Sequence, residues 1–168
     1  MSPSRPHWPR GAPIAVGIAL ALSLTGCFGP MPVPMGSLNR RLAQQGNQRE
    51  PSLSGPWLAL IANRNGRDQV ELVDVDRQRP VPLPGLNRPD AQPLSVSVSA
   101  AGDRLVVVRQ VEGRTELVLH RRSVMTNEPI PMVPAGVPRR AVLRADGREI
   151  AVEVSRQGVA QVDLIALP

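Results

Sequence analysis

From residue 55 onward the chain alternates apolar and polar residues in short runs. Leu58 and Leu60, Val70 and Leu72, Val96 and Val98, Leu105 and Val107, Leu117 and Leu119, Ile150 and Val152, and Val162 and Leu164 all repeat with period two. That period belongs to a strand buried on one face, because successive side chains point to opposite sides. Asn65-Gly66, Glu112-Gly113 and Gln157-Gly158 separate successive runs, and glycine supplies the positive φ of a tight hairpin turn. Ala101-Gly102 and Asp146-Gly147 make the preceding turn in the same way. The pattern predicts antiparallel meanders.

The meanders repeat. Gly55, Leu58, Leu60, Gly66, Val70 and Leu72 recur 47 residues later as Gly102, Leu105, Val107, Gly113, Leu117 and Leu119. They recur again 45 residues on as Gly147, Ile150, Val152, Gly158, Val162 and Leu164. Such regularity points to a repeat architecture, in which each unit buries its face on its neighbour.

A proline-rich element follows each of the first two meanders: Pro80-Val81-Pro82-Leu83 and Pro129-Ile130-Pro131-Met132. Alternating prolines remove the donors from one side of a strand, which confines it to a sheet edge. The same pattern stands upstream as Pro32-Val33-Pro34-Met35, and Leu38-Asn39-Arg40 then matches Leu86-Asn87-Arg88 at a shift of 48. The third meander ends at Leu167-Pro168 with no proline strand behind it, so the upstream copy is expected to complete it and join the chain ends. Arg49 to Ser54 contains Pro51 and lacks alternation, so no regular innermost strand is expected in the first unit. Leu38 to Asn47 reads as one short helical turn or as tether, and the Pro and Gly between Phe28 and Gly36 read as an extended leash.

The start of the chain carries a different pattern. Arg5 and Arg10 precede an apolar run from Ile14 to Leu24, with small residues before Cys27, the one cysteine of the chain. This is the three-part layout of an export signal, and the run is too short to span a bilayer unaided. Leu24-Thr25-Gly26-Cys27 resembles the lipobox of bacterial lipoproteins. The resemblance implies cleavage before Cys27, a diacylglycerol thioether on its sulfur and acylation of its new amino group. Two or three acyl chains hold a protein on a membrane stably, at about 0.8 kcal/mol per buried methylene. Phe28 stands where an Asp retains many such proteins at the inner membrane, which favours the outer membrane. The organisation expected is a signal peptide at 1–26, an acylated cysteine and tether at 27–54 in which 32–40 can supply an edge strand, and a repeat domain at 55–168.

Composition narrows the function. All 20 basic residues are arginine, and beyond residue 26 there are 18 of them against 14 acids. Nucleic acid is disfavoured as a partner, since export removes the chain from it and only Phe28 and Trp57 remain to stack on bases. Arg121-Arg122 and Arg139-Arg140 are candidate contacts for anionic lipid or glycan, and Trp57 for a protein partner. His120 is the one histidine beyond the signal and has no nucleophile or ligand partner nearby in sequence, so it reads as structural. Asp68, Asp74 and Asp76 lack the glycine and closing glutamate of a calcium loop, and alternating acids on a strand edge are expected to face water. No catalytic residue, metal or cofactor is expected.

Ser99-Ala100-Ala101-Gly102-Asp103-Arg104-Leu105-Val106-Val107 and Arg144-Ala145-Asp146-Gly147-Arg148-Glu149-Ile150-Ala151-Val152 resemble the blade motif of TolB-type β-propellers, Ser-Pro-Asp-Gly followed by an aliphatic strand. The resemblance covers residues 55–168. It implies an all-β fold of three antiparallel four-stranded blade-like repeats, an incomplete propeller, or one that a second chain completes. A threefold barrel of the β-trefoil type, with three units of similar length, stays open as the alternative. The function expected is a non-enzymatic, lipid-anchored envelope protein that binds another protein, by resemblance one of the Tol-Pal kind. Two alternatives stand beside it: binding of an anionic glycan or lipid through the Arg pairs, and a structural subunit that oligomerises to complete its propeller.

Overall fold

The computed structural model describes residues 29–168, which fall into a unit ending at Pro34 and a unit from Met35 to Pro168. The export signal and the lipidation expected at Cys27 lie outside the described residues. Residues 29–34 form no regular element. The second unit holds one helix, α1 (Gly36–Ala43), and eleven strands. They are β1 (Gln48–Ser54), β2 (Trp57–Arg64), β3 (Arg67–Asp74), β4 (Arg79–Val81), β5 (Ala91–Val98), β6 (Arg104–Val111), β7 (Arg114–Arg121), β8 (Thr126–Ile130), β9 (Val137–Leu143), β10 (Glu149–Arg156) and β11 (Val159–Ala166).

The strands form three separate antiparallel meanders, ordered β1-β2-β3-β4, β5-β6-β7-β8 and β9-β10-β11. The three sheets stack in sequence through two apolar layers. Ala59, Ile61, Val70 and Leu72 of the first sheet meet Val96, Val98, Leu105 and Val107 of the second. The opposite face of the second sheet, with Val106, Val108, Leu117 and Leu119, meets Ala141, Leu143, Ile150, Val152 and Val154 of the third. Each fully buried Val, Leu or Ile contributes about 1.5–3 kcal/mol, so these two layers carry most of the packing energy.

The innermost strands β1, β5 and β9 are sheet edges, and their outward amides need partners. For β5 and β9, serine hydroxyls of the preceding sheet supply them. Ser52 Oγ accepts from the Val98 amide at 3.2 Å, Ser97 Oγ from Leu143 at 2.9 Å, and Ser95 Oγ from Ala141 at 3.4 Å. Each inner strand also carries a bulge, at 49–52, 93–95 and 138–140. A bulge bends its strand and re-aims the residues beside it. Arg49, at the first bulge, pairs with Asp68 at 2.8 Å and donates to the carbonyls of Pro93 at 2.9 Å and Leu94 at 3.3 Å, fastening the first sheet to the second.

Several expectations need correction. Arg49 to Ser54 is a strand, because the bulge absorbs Pro51 without breaking the pairing of Ser52 to Ser54 with β2. Helix and strand therefore occupy much of the span expected as tether, and Gly36 to Arg40 is helical instead of part of an edge strand. The third sheet has three strands, not four, and Pro32 to Met35 form no strand. The proline elements do lie on edges. They are offset, however: Pro80 stands opposite Val73 and Pro129 opposite Val118, two positions apart on equivalent strands. Three separate meanders stacked face to face are blades and not the barrel of a trefoil.

α1 closes the remaining face of the first sheet. Ser37 Oγ bonds Gln78 Oε1 at 2.9 Å and Arg41 Nη1 donates to Gln78 O at 2.6 Å, while Gln48 Nε2 donates to Leu42 O at 2.7 Å. Those contacts tie the helix to opposite corners of the sheet. Leu38 is buried beneath it, and Leu60, Ala62 and Val73, which belong to neither stacked layer, are buried on that side.

If the hydroxyl bridges hold the stack, Ser97→Ala should lower stability to urea by about 1–3 kcal/mol, the cost of an orphaned buried amide. Ser123→Ala, at an exposed turn, should leave it unchanged; equal effects from the two would deny the bridge its role.

Candidate functional site

The turns after β1, β3, β5, β7 and β9 lie at one end of the stacked strands. Trp57, the first residue of β2, sits half-buried among them. Its position depends on Gly102, whose φ of +68° suits glycine and whose missing side chain leaves room for the indole ring. The Arg122 guanidinium lies 4.8 Å from the ring centroid, and the Arg122 amide donates to Asp103 O at 2.8 Å. A tryptophan of the first sheet is thus held by two turns of the second. A cation over such a ring adds about 0.5–2 kcal/mol.

Two hollows adjoin at this point and share Pro82 and Arg122. One, of about 570 Å³, is lined by Trp57, Asp74, Arg77, Arg79 and Pro80 as well. The other, of about 420 Å³, adds Pro84, Asp103, Ser123 and Met125. Asp74 is only 3% exposed, contrary to the water-facing acid expected. Its carboxylate accepts the Arg77 amide and guanidinium at 2.9 Å each, and the amide bond above all holds its pKa below the usual carboxylate value. Among the described residues Arg79 and Arg122 make no ion pair, which leaves two cations beside an aromatic ring and a row of prolines. On the opposite loop face a hollow of about 440 Å³ includes Asp68, whose carboxylate is occupied by Arg49 and Asn63.

The expected arginine pairs do not come together. Arg121 ends β7 and binds Glu128 at 3.0 Å, whereas its neighbour Arg122 turns to Trp57. Arg139 is the bulged residue of β9, and Arg140 lies 3.5 Å from Glu50 on the first sheet. Two of the four are spent on ion pairs, and the two pairs stand apart, one at the end of β7 in the second sheet and the other on β9 in the third. Sequence reasoning found Trp57 and Arg122 but missed Pro82, Pro84, Arg77 and Arg79. The proline element was the available signal, as it places a polar-backed loop beside Trp57.

Among the described residues no catalytic arrangement forms around His120. The ring is fully buried, and Nδ1 lies 2.9 Å from Asn127 Oδ1. Asn127 Nδ2 donates to Gly85 O at 2.9 Å, so its oxygen is the atom that accepts, and the imidazole carries its proton on Nδ1. Burial pushes the His120 pKa below its ordinary value. Among the described residues no group of three or more His, Cys, Asp or Glu could hold a metal ion, and no helix is long and apolar enough to cross a membrane.

No family model matches the chain, and no curated protein does. Among solved structures it is similar to TolB from Acinetobacter baumannii, with 17% identity and a TM-score of 0.56 over 73% of this chain and 30% of that one. It is also similar to the β-propeller domain of Swd1 from Myceliophteria thermophila, with 14% identity and a TM-score of 0.45 over 71% of this chain and 39% of that one. The chain thus spans less than half of either. The fold is that of propeller-like blades, three stacked sheets that do not close into a ring.

Two outcomes test this construction. Gly102→Ala and Gly113→Ala both place a side chain at positive φ, which costs about 1–3 kcal/mol, but only position 102 also meets Trp57. In urea unfolding Gly102→Ala should lose clearly more than Gly113→Ala; parity would mean that the ring does not rest there. For His120 the folded pKa lies below the unfolded value of about 6.5, so the unfolded chain takes up the proton first as pH falls. Its contribution is complete above about pH 6.5 and is lost as pH drops toward the folded value, and His120→Gln should flatten that slope.

Proposed function

We propose that this chain is a non-enzymatic, lipid-anchored protein of the bacterial envelope, held by an acylated Cys27 and binding another protein through the loop face around Trp57. Its place is the periplasmic side of a membrane, with the outer membrane favoured by Phe28. The observation that carries the binding reading is the Trp57–Arg122 contact between two adjoining hollows walled by Pro80, Pro82 and Pro84. Tryptophan and arginine are the residues most enriched where protein interfaces concentrate their energy. Rigid proline walls keep the cost of ordering such a surface low. Arg79 and Arg122 favour a partner segment with at least one carboxylate, and steer its approach.

The glycan and lipid alternative has less support, because the arginines it relies on are separated and partly neutralised.

A photoreactive residue placed at Arg79, in cells, should attach to one discrete envelope protein, and Arg122→Glu should reduce that product several-fold. The same residue at Arg114, on the opposite loop face, should not yield it. Identical products from both positions, or attachment to lipid alone, would refute the site. For the anchor, the mature protein should begin at Cys27 with added acyl mass, and Cys27→Ser should abolish both.

A further inference from the structure

The outer edges of the three sheets are not alike. β4 and β8 end their sheets with prolines, but β11 ends the third sheet with eight residues that include none. It pairs with β10 in unbroken register from Val159 to Ala166, and its other side is unpaired among the described residues. Val162 and Leu164 are 70% and 82% exposed, whereas their counterparts 45 residues earlier, Leu117 and Leu119, are each 1% exposed. A long regular edge flanked by bare apolar side chains is a template for another strand.

The chain also contains a strand sequence without an edge. Met31-Pro32-Val33-Pro34-Met35 aligns with Arg79-Pro80-Val81-Pro82-Leu83 at a shift of 48, and the match runs on to Leu38 and Leu86. On the first sheet the later copy begins as β4, and Val81 and Leu83 pack on the core between the sheets. In the earlier copy Met31, Val33 and Met35 are 75%, 86% and 50% exposed. Prolines two apart face the same way along a strand. With Pro32 and Pro34 turned outward, the amides of Met31, Val33 and Met35 face the neighbouring strand, and the sheet ends there.

The same chain cannot make this pairing while α1 is docked. Ser37 is bonded to Gln78 at the first sheet, and Gly36 alone separates it from Met35. The third sheet lies two packing steps away, about 20 Å at roughly 10 Å per step. Two residues of extended chain span about 7 Å. The strand that fits β11 therefore comes from another molecule.

We propose that two copies of this protein exchange strands, the segment Met31–Met35 of each lying along β11 of the other in a twofold dimer. The exchange is isologous, since each copy gives one strand and receives one. Val33 and Met35 of one copy cover Val162 and Leu164 of the other, as Val81 and Leu83 cover the first sheet. This dimer does not depend on the loop-face partner.

Two differently tagged full-length copies, one carrying Val33→Cys and the other Leu164→Cys, should form a disulfide between them when produced together in the envelope and mildly oxidised. Both substitutions are at exposed positions, so neither threatens the fold. Sedimentation of the full-length protein in mild detergent should show a dimer, which Leu164→Asp or Val33→Asp weakens at least about tenfold, equivalent to 1.4 kcal/mol. A monomer at every concentration, no disulfide between the two tagged copies, or a dimer indifferent to both Asp substitutions would overturn the exchange.

Discussion

Every sheet in this protein has an inner edge, and the fold depends on what those edges bond to. A strand at an edge presents a row of amides that water or another group must satisfy. Here the edges are drawn side by side, and a hydroxyl from one sheet reaches an amide of the next 46 residues later, at Ser52–Val98, Ser95–Ala141 and Ser97–Leu143. Serine suits this because its short side chain reaches a neighbouring backbone while leaving the strand free to pair with its own sheet. The apolar layers supply most of the energy but are non-directional. The hydroxyls fix how far one blade is displaced along the next.

The same spacing explains what was legible in the sequence. The outer meanders could be read because their strands alternate with period two and their turns carry glycine at constant spacing. The innermost strand of the first blade could not, for two reasons. The path from Ser52 through the turn to Leu60 is two residues shorter than the equivalent path from Ser97 to Val107, so strands match at a shift of 45 before the turn and 47 after it. In addition, the bulge at residues 49–52 holds Glu50 at a φ of +53° beside Pro51 and disrupts the alternation by which a strand is recognised. The offset of the two proline strands escaped for a related reason, since prolines mark an edge without specifying the register along it.

The candidate site was legible only as parts. Trp57 stood out because aromatic residues are scarce in this chain, and Arg122 because it belonged to a pair. Nothing in local sequence separates Arg122 from Arg121, although one stacks on tryptophan and the other binds Glu128. The difference arises at the end of β7: Arg121 is the last paired residue, directed across to β8, whereas Arg122 is the first of the turn, held by the Asp103 carbonyl beside the ring. Position at a strand end thus decides which cation is available, and strand ends are the feature that patterns locate least well.

The last blade shows why growth of the stack by another sheet is disfavoured while addition of a strand is not. At a shift of 45 the face of the second sheet that packs on the third would read Arg140 for Ser95, Val142 for Ser97, Ala151 for Val106 and Glu153 for Val108. The two bridging serines are gone, so a further inner strand would find no hydroxyl for its amides. Val108 is fully buried where Glu153 is exposed, and covering Glu153 with an apolar sheet would strip a carboxylate of water while Arg140, opposite it in the register, is drawn to Glu50. The edge of β11 carries no such obstacle. Among the described residues its outer amides and carbonyls are unpaired along the strand, and Val162 and Leu164 stand beside them on β11, two strands away from Arg140 on β9. A sheet closed to face-to-face stacking and open at its edge selects a partner that approaches as a strand.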